Sequence, residues 1–406
     1  MRMLFVSAQL AGHLDWGGYL PTAAVLGQRG HEVLWASGAG VRSLVESACV
    51  PFQPLRETGW RWPPPPPLQR APEQDEATWR QIRALRALDQ WLDPARVGPA
   101  VTELLELARG FQPDLVVAEM FVAAAGIVAE LLGKPFAVAG WPAITFANGA
   151  GGALVSLAHA RLAELLAACQ AGGSYFTADG PPALRSPHLH LTYWSQSWYG
   201  NLSLQPQTRH VGGLPFPEAG ADPSLPDPDL RPWVLITLGT TFNRDPNFFL
   251  AAATAAHDLG CLPLVVLGRP TGEEQPEPWL NRLPDACAVR DHIDFGAVVP
   301  HLAAAIHHGG AGTTHALVRA GIPQIVVPHA ADQIHQAHGV VRSGAGIHLP
   351  PREVTPSRLV ASLAAILPDL SSYRARAQAL QAEFVALGGP PAAARLLEAV
   401  VHQEIE

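Results

Sequence analysis

Short apolar runs alternate along the chain with longer segments in which apolar residues recur at helical spacing. In the first half, the runs with the length of buried strands are residues 3–8, 31–36, 114–118 and 135–139. Residues 20–29 and 123–132 are the predicted helices, and Gly30 and Gly133 follow them directly, where glycine commonly ends a helix. This alternation predicts βα units and a parallel sheet.

The alternation starts again in the second half, after a proline-rich stretch at residues 214–230. The strand candidates here are residues 233–238, 262–267, 305–308 and 324–327, with helices predicted at 247–259 and 312–320. The helical tail at 373–404 is interrupted at 388–391. We therefore expect an α/β protein with a Rossmann-like domain at 1–213, a linker at 214–230, a second Rossmann-like domain at 231–385, and a terminal helix at 386–406 that crosses back to the first.

The composition fits a two-domain enzyme and excludes several other classes. The chain has 406 residues, 48% of them hydrophobic and 15% charged, and its formal net charge is -8, so a nucleic-acid partner is not expected. The four cysteines are isolated and predict neither disulfides nor a metal site. Because no apolar run approaches the ~20 residues of a membrane span, we expect a cytoplasmic protein without a transmembrane segment.

A glycine-rich loop follows the third strand of the second half. Its sequence is His307-His308-Gly309-Gly310-Ala311-Gly312-Thr313-Thr314, and it leads directly into a predicted helix. The start of a helix offers unpaired N–H groups and a partial positive charge, and glycine lets the backbone approach an anion closely. The loop therefore predicts a phosphate site that needs no metal, although these features alone do not choose between dinucleotide, phosphosugar and nucleotide-sugar.

The continuation of this loop makes the resemblance specific. Ala320-Gly321-Ile322-Pro323-Gln324, then Pro328, Asp332-Gln333 and Gly344-Ala345-Gly346 follow in an order similar to the donor signature of family-one GT-B glycosyltransferases, especially bacterial natural-product transferases. The resemblance implies the GT-B fold, in which two Rossmann-like domains face each other across a cleft. It covers about forty residues, and it implies an N-terminal domain that binds the acceptor and a C-terminal domain that binds a nucleotide-sugar.

The resemblance also implies roles for individual residues of the donor site. The family's diphosphate-binding histidine falls on His307, and the diphosphate donors fall on Gly309, Gly310, Ala311, Gly312 and Thr313. Asp332 and Gln333 match the pair that holds the sugar hydroxyls, with a helix cap as the alternative role.

Two further segments complete the expected donor site. Gly239 and Thr240, after the first strand of the second domain, resemble a second diphosphate loop, unless they form an ordinary turn. Ile293 and Phe295 lie where the family stacks the nucleobase. Many UDP-sugar transferases have a glutamate where this chain has His315, so we expect a dTDP-hexose donor in preference to a UDP-hexose.

An inverting transferase needs a general base, and the resemblance places it at His13, after the first strand. Glu119 replaces the aspartate that usually orients this histidine, and a glutamate can make the same hydrogen bond with longer reach. The loop around His13 is longer than usual in the family and contains Asp15, so Asp15 remains an alternative base.

The acceptor side is predicted from aromatic residues of the first domain. These residues suit a flat hydrophobic acceptor, although each is equally suited to an apolar core: Trp60, Trp62, Trp141, Phe146, Trp194 and Trp198. The expected activity is inverting, metal-independent transfer of a hexose to a small natural-product acceptor, with no cofactor beyond the nucleotide-sugar. A nucleotide-sugar epimerase and a non-catalytic donor-binding protein remain alternatives, as do a monomer and a homodimer.

Overall fold

A computed structural model describes residues 1–15, 17–62, 70–140, 153–218, 220–240, 245–269, 277–329, 333–367 and 372–402. The chain divides into two units. The first comprises Met1–Tyr193, Leu202–Val211 and Gly389–Glu406, and the second comprises Trp194–Asn201 and Gly212–Gly388. The span expected for the first domain, 1–213, is therefore interrupted, because residues 194–201 pack with the second unit.

A parallel sheet of seven strands forms the centre of the first unit. Its strands are β1 (Arg2–Val6), β2 (Glu32–Gly38), β3 (Phe52–Leu55), β4 (Leu115–Ala118), β5 (Phe136–Gly140), β6 (Leu189–Thr192) and β7 (Thr208–His210). Their order across the sheet is β3-β2-β1-β4-β5-β6-β7. Every residue of β4 and β5 is buried, which explains why these strands appear in the sequence as continuous apolar runs rather than as alternating ones.

The helices of the first unit are α1 (Ala11–Asp15), α2 (Tyr19–Gln28), α3 (Arg42–Ser47), α4 (Glu76–Trp91), α5 (Pro94–Phe111), α6 (Ala123–Leu131) and α7 (Ala153–Cys169), with a 3-10 turn at Ala39–Val41. Asp75 and Asp93 accept hydrogen bonds from the first backbone N–H groups of α4 and α5 and so start these helices. Gly30 and Gly133 have positive φ angles of 87° and 60°, as expected of residues that end helices.

The second unit is built around a parallel sheet of six strands. The strands are β8 (Trp233–Thr237), β9 (Leu262–Val266), β10 (Ala288–Arg290), β11 (Leu302–His307), β12 (Gln324–Val326) and β13 (Gly346–His348), in the order β10-β9-β8-β11-β12-β13. The helices are α8 (Gln196–Tyr199), α9 (Pro246–Asp258), α10 (Phe295–Val298), α11 (Ala311–Arg319), α12 (Gln333–Ser343), α13 (Pro356–Ile366) and α14 (Ser372–Ala386). Three 3-10 turns lie at Pro278–Arg282, Val299–His301 and Pro351–Glu353.

Residues 194–201 join the second unit through two tryptophans. The rings of Trp194 and Trp198 stack with centroids 4.1 Å apart, and Trp198 lies directly over Gly339 of α12, where any side chain would collide with it. The Arg342 side chain donates a hydrogen bond to the Trp198 carbonyl. The expectation that Trp194 and Trp198 belong to the acceptor side of the first domain is therefore wrong, because contacts with residues distant in sequence place them in the second unit.

The C-terminal segment divides between the two units. The helix α14 buries Ala377, Leu380 and Phe384 in the second unit, and the final helix α15 (Gly389–His402) belongs to the first. By length and hydropathy, Ser372–His402 is the single candidate for a membrane-spanning helix among the described residues, with 39% of its best window buried. Because the α-helix is broken between Ala386 and Gly389, this candidate is two shorter helices, each packed in a different unit.

Candidate active site

Each sheet contains one place where neighbouring strands lead away in opposite directions. In the first sheet, β1 continues towards β2 and β4 continues towards β5; in the second, the same divergence occurs between β8 and β11. At such a point the loops that leave the carboxyl ends of the two strands separate and open a crevice, where doubly wound proteins bind ligands. The predicted base and its orienting carboxylate follow β1 and β4, and the two predicted diphosphate loops follow β8 and β11.

The residues predicted as base and orienting carboxylate are in direct contact. The Nδ1 atom of His13, on the short helix α1, lies 2.9 Å from the Glu119 carboxylate, which directly follows β4. The same carboxylate accepts a 2.7 Å hydrogen bond from the backbone N–H of Ala8. Glu119 is fully buried and His13 is 6% exposed. Because the carboxylate can only accept, Nδ1 carries the proton, and the tautomer is therefore set for Nε2 to act as a base.

Tyr19 links β1 and β4, the two strands that His13 and Glu119 follow. Its hydroxyl lies 3.0 Å from the Val6 carbonyl and 3.1 Å from the Val117 carbonyl, so it bridges the ends of β1 and β4. Burial raises the pKa of Tyr19 well above its usual value, and the charge of Glu119 adds to this effect. Tyr19 therefore remains a neutral donor that holds together the two strands from which His13 and Glu119 emerge.

Two aromatic side chains surround the His13 ring. The centroid of Trp60 lies 5.3 Å from the imidazole centroid and that of Phe121 lies 5.4 Å from it. Trp60 was predicted on the acceptor side, whereas Phe121 was not among the predicted site residues. Its position two residues after Glu119, at the carboxyl end of β4, is the signal that could have identified it.

Four other residues were predicted near His13 as the alternative base or as acceptor contacts: Asp15, Trp62, Trp141 and Phe146. Asp15 ends helix α1, and its side chain is outside the described part of the chain. Trp62 is 37% exposed. Trp141 and Phe146 lie outside the described residues.

In the second unit, the structure does not support His307 as a diphosphate ligand. His307 is the last residue of β11 and its side chain is fully buried. Its Nδ1 accepts a 3.1 Å hydrogen bond from the Gly309 N–H, and its Nε2 lies 3.0 Å from the Gln324 Oε1. Burial lowers the pKa of His307 to about 4. Both ring nitrogens of this neutral side chain are therefore engaged within the protein, and the prediction for His307 is wrong in this respect.

The neighbouring His308 lies where His307 was expected. Its ring is close to the glycines of both predicted diphosphate loops: a Cβ atom at Gly239 would lie 2.6 Å from the His308 Cε1, and one at Gly310 would lie 2.5 Å from its Nε2. The buried Nδ1 atom makes no hydrogen bond of ordinary geometry with the residues that the structure describes. Burial, together with the charges of His307 and His329, lowers the pKa of His308 to about 3, while the Thr237 backbone opposes the shift. His308 is therefore a neutral imidazole enclosed by the two loops.

The start of α11 provides the backbone donors. Its cap, Gly310, has no side chain to satisfy the first N–H groups, and the first helical hydrogen bond runs from the Thr314 N–H to the Gly310 carbonyl. The N–H groups without helical partners belong to Ala311, Gly312 and Thr313, all partly exposed. Across from them, Gly239 has a φ of 69° and Thr240 is exposed.

The predicted sugar and nucleobase residues also follow strands of the second sheet. Gln333 begins α12, and its Oε1 accepts a 2.7 Å hydrogen bond from the His329 N–H. Asp332 lies outside the described residues. Ile293 and Phe295 follow β10 and are partly buried against a core cluster that includes Trp233.

His315 does not occupy the position that the donor preference assumed. Its ring is 2% exposed and packs between Trp194 and Phe384, with centroids 5.1 and 5.3 Å away. A side chain buried in this aromatic cluster offers no accessible group to a ribose. The structure therefore removes His315 as a reason to prefer dTDP.

Comparisons with known proteins agree with this architecture. Residues 270–400 match the family described as the C-terminal domain of erythromycin biosynthesis protein CIII-like proteins. The chain is 28% identical to aklavinone 7-beta-L-rhodosaminyltransferase of Streptomyces galilaeus over 99% of this chain and 96% of the relative. Among solved structures, CalG4, the calicheamicin glycosyltransferase, matches with a TM-score of 0.76 at 22% identity, covering 99% of this chain and 98% of that one. The spinosyn rhamnosyltransferase SpnG, complexed with thymidine diphosphate, matches with a TM-score of 0.72 at 23% identity, covering 98% and 100%.

The two doubly wound sheets and these similarities define a glycosyltransferase of the GT-B fold. More particularly, the relative and the solved structures that the chain resembles are natural-product glycosyltransferases.

Proposed function

We propose that this protein is an inverting glycosyltransferase that moves a hexose from a dTDP-sugar to a hydroxyl of a small hydrophobic acceptor. The observation that carries the proposal is the buried pair of His13 and Glu119 at the divergence of β1 and β4. In the reaction, the acceptor oxygen forms a bond to C1 of the sugar from the face opposite the diphosphate. The bond between C1 and the diphosphate oxygen breaks, and the acceptor proton passes to Nε2 of His13.

Glu119 supports this step electrostatically. As the proton is transferred, positive charge develops on His13 next to a buried carboxylate, and the attraction stabilises the transition state more than the ground state. After the reaction the imidazolium returns its proton to solvent. Asp15 is the alternative base, and single substitutions of His13 and Asp15 distinguish the two.

For the donor, we propose that the diphosphate binds at the start of α11 and against the Gly239 loop, with His308 in place of His307 as the histidine that contacts it. The N–H groups and helix dipole offset the charge of the leaving group, so we propose that no metal is needed. Gln333, Asp332, Ile293 and Phe295 remain the proposed sugar and nucleobase contacts.

The preference for dTDP over UDP now rests on a different observation. It is supported by the resemblance to SpnG, a rhamnosyltransferase complexed with thymidine diphosphate. We further propose that the acceptor is a natural product, and that the enzyme acts in the cytoplasm with no macromolecular partner except, in a homodimer, a second copy of itself.

The test is incubation of the protein with dTDP- and UDP-hexoses and a panel of phenolic and polyketide alcohols, followed by mass spectrometry. We expect a glycosylated acceptor and free dTDP, and greater thermal stabilisation by dTDP than by UDP or GDP. An altered donor sugar with no glycosylated acceptor would indicate an epimerase and contradict the proposal.

A further inference from the structure

Three rings from separate parts of the first unit meet around the candidate base. We call them the His13 aromatic cluster: His13, Trp60 and Phe121. The imidazole is inclined at 62° to Trp60 and at 31° to Phe121, and the centroids of Trp60 and Phe121 are 5.1 Å apart. Trp60 and Phe121 are both only partly buried.

The loop that carries Trp60 is held in place from several directions. The Arg61 N–H donates a 2.8 Å hydrogen bond to the Gln90 carbonyl, and the Gln90 side chain donates a 2.6 Å bond back to the Arg61 carbonyl. Gly59 has a φ of 81° and lies against Val97 of α5, so the chain approaches α5 closely just before the tryptophan. Trp60 itself packs on the apolar core of the first unit. Its position beside His13 is therefore set by the fold.

Phe121 is held by the same structure that holds the catalytic pair. It lies between Glu119 and the start of α6, and the Val122 N–H donates a 3.4 Å hydrogen bond back to the Glu119 carbonyl. The position of Phe121 is therefore fixed by the same turn of backbone that holds Glu119, whose side chain orients His13.

An acceptor hydroxyl must come within about 3 Å of Nε2 of His13 to transfer its proton. The ring centroids of Trp60 and Phe121 lie 5.3 and 5.4 Å from the imidazole centroid, so the group that carries this hydroxyl then lies close to both rings. Aromatic rings prefer tilted or offset contacts with centroids roughly 4.5–7 Å apart. Because Trp60 and Phe121 are inclined at 59° to each other, an aromatic acceptor can make an offset contact with one ring and a tilted contact with the other. A saturated acceptor would gain only hydrophobic burial from the same surface.

We propose that Trp60 and Phe121 are specificity-determining residues that select an acceptor whose reacting hydroxyl is on, or next to, a flat aromatic ring. This inference rests on the proposed function and deepens it. Trp60 presents its surface from the loop before α4, and Phe121 presents its surface from the loop after β4. Together they place an aromatic acceptor so that its hydroxyl faces His13.

The experiment compares a hydroxynaphthoquinone with a saturated macrolactone alcohol at saturating dTDP-hexose. The wild type is expected to favour the aromatic acceptor at least about tenfold in kcat/KM. Phe121→Leu and Trp60→Leu keep apolar bulk but remove the aromatic face, and each should reduce this preference about tenfold, mainly through the KM of the aromatic acceptor. Trp60→Phe should retain most of the preference. Phe52→Leu, at a ring that instead packs with Arg42, is the matched control and should leave the preference unchanged.

Two results would overturn the inference. Equal losses for both acceptors would show that the rings only support the imidazole, and an unchanged preference in both leucine variants would show that they do not contact the acceptor. Neither result would affect the proposed function as long as the wild type forms a glycosylated product. Failure of the wild type to glycosylate any acceptor, with no thermal stabilisation by dTDP, would instead overturn the proposed function and the inference with it.

Discussion

Replacing Glu119 with glutamine tests the catalytic pair with little change in shape. The amide oxygen can still accept hydrogen bonds from the Ala8 N–H and the His13 Nδ1–H, because Oε1 of the carboxylate lies within hydrogen-bond distance of both donors. The negative charge next to the imidazole is lost. We therefore expect the variant to fold normally and to bind the donor normally, but to stabilise the transition state less.

The size of the effect follows from the geometry of this pair. Unit charges 2.9 Å apart, as between His13 and Glu119, attract by roughly 6 kcal/mol at an effective dielectric constant of about 20. If about half of the proton charge has reached the imidazole in the transition state, roughly 3 kcal/mol is at stake. The neutral amide retains a hydrogen bond worth about 1 kcal/mol. The remaining loss of about 2 kcal/mol corresponds to a decrease of about 30-fold in kcat.

The assay measures kcat at saturating donor and acceptor, together with dTDP affinity and the midpoint of urea unfolding. Glu32→Gln is the matched control, because Glu32 pairs with Arg2 at an exposed position and should change kcat little. A Glu119→Gln enzyme with kcat within about threefold of the wild type, at unchanged dTDP affinity, would contradict the electrostatic role proposed for Glu119.

The donor site and the buried histidines give three further predictions. His308→Ala should weaken dTDP binding at least about tenfold, whereas His307→Gln should lower the urea midpoint and leave binding within about twofold. Gly239→Ala should also weaken dTDP binding about tenfold, because the added methyl group meets the His308 ring. Gly260 is the matched control: it has a φ of 76° but open space around it, so Gly260→Ala should cost only about 1 kcal/mol of stability. His190 and His307 have pKa values lowered to about 4 by burial, so the unfolded state binds more protons below pH ~6.5. The free energy of unfolding should thus be steady above about pH 7 and fall by up to about 3 kcal/mol per histidine as the pH decreases to about 4.

Each of these predictions has a clear contrary result. Equal weakening of dTDP binding by substitutions of the two neighbouring histidines would contradict the assignment to His308. A Gly260→Ala protein that binds dTDP as poorly as Gly239→Ala would mean that backbone strain, and not the contact with His308, causes the loss. Urea midpoints that stay constant or rise on acidification would contradict the burial of neutral histidines, and His190→Gln should make the pH dependence less steep.

The sequence predicted the strands next to the site because they are buried on both faces and appear as unbroken apolar runs. The family resemblance implied the pairing of His13 with Glu119. The structure brings the two together because they follow β1 and β4, adjacent parallel strands whose carboxyl ends meet at one edge. The first of the two histidines was misassigned for a local reason. The strand was expected to include His308, but it ends at His307. The side chain of His307 therefore contacts Gln324 on the neighbouring strand, whereas that of His308 lies next to Gly239 and Gly310 of the two loops.

Other features depend on contacts that no local pattern contains. His315 lies on a helix whose start was predicted correctly to within a residue, yet its surroundings are set by Trp194 and Phe384, which are distant in sequence. The same holds for Trp198, whose place in the second unit depends on the absence of a side chain at Gly339. The sequence contains these residues, but only the fold shows which of them meet.

The proposed inverting mechanism is tested most directly by comparing single-turnover transfer by the wild type and by His13→Ala, with the anomeric configuration of the product determined by NMR. We expect an inverted configuration from the wild type and a loss of at least about 100-fold in transfer rate in the variant, which should still bind dTDP normally. A product that retains the donor configuration, or a His13→Ala enzyme with near wild-type transfer, would contradict the inverting mechanism with His13 as base.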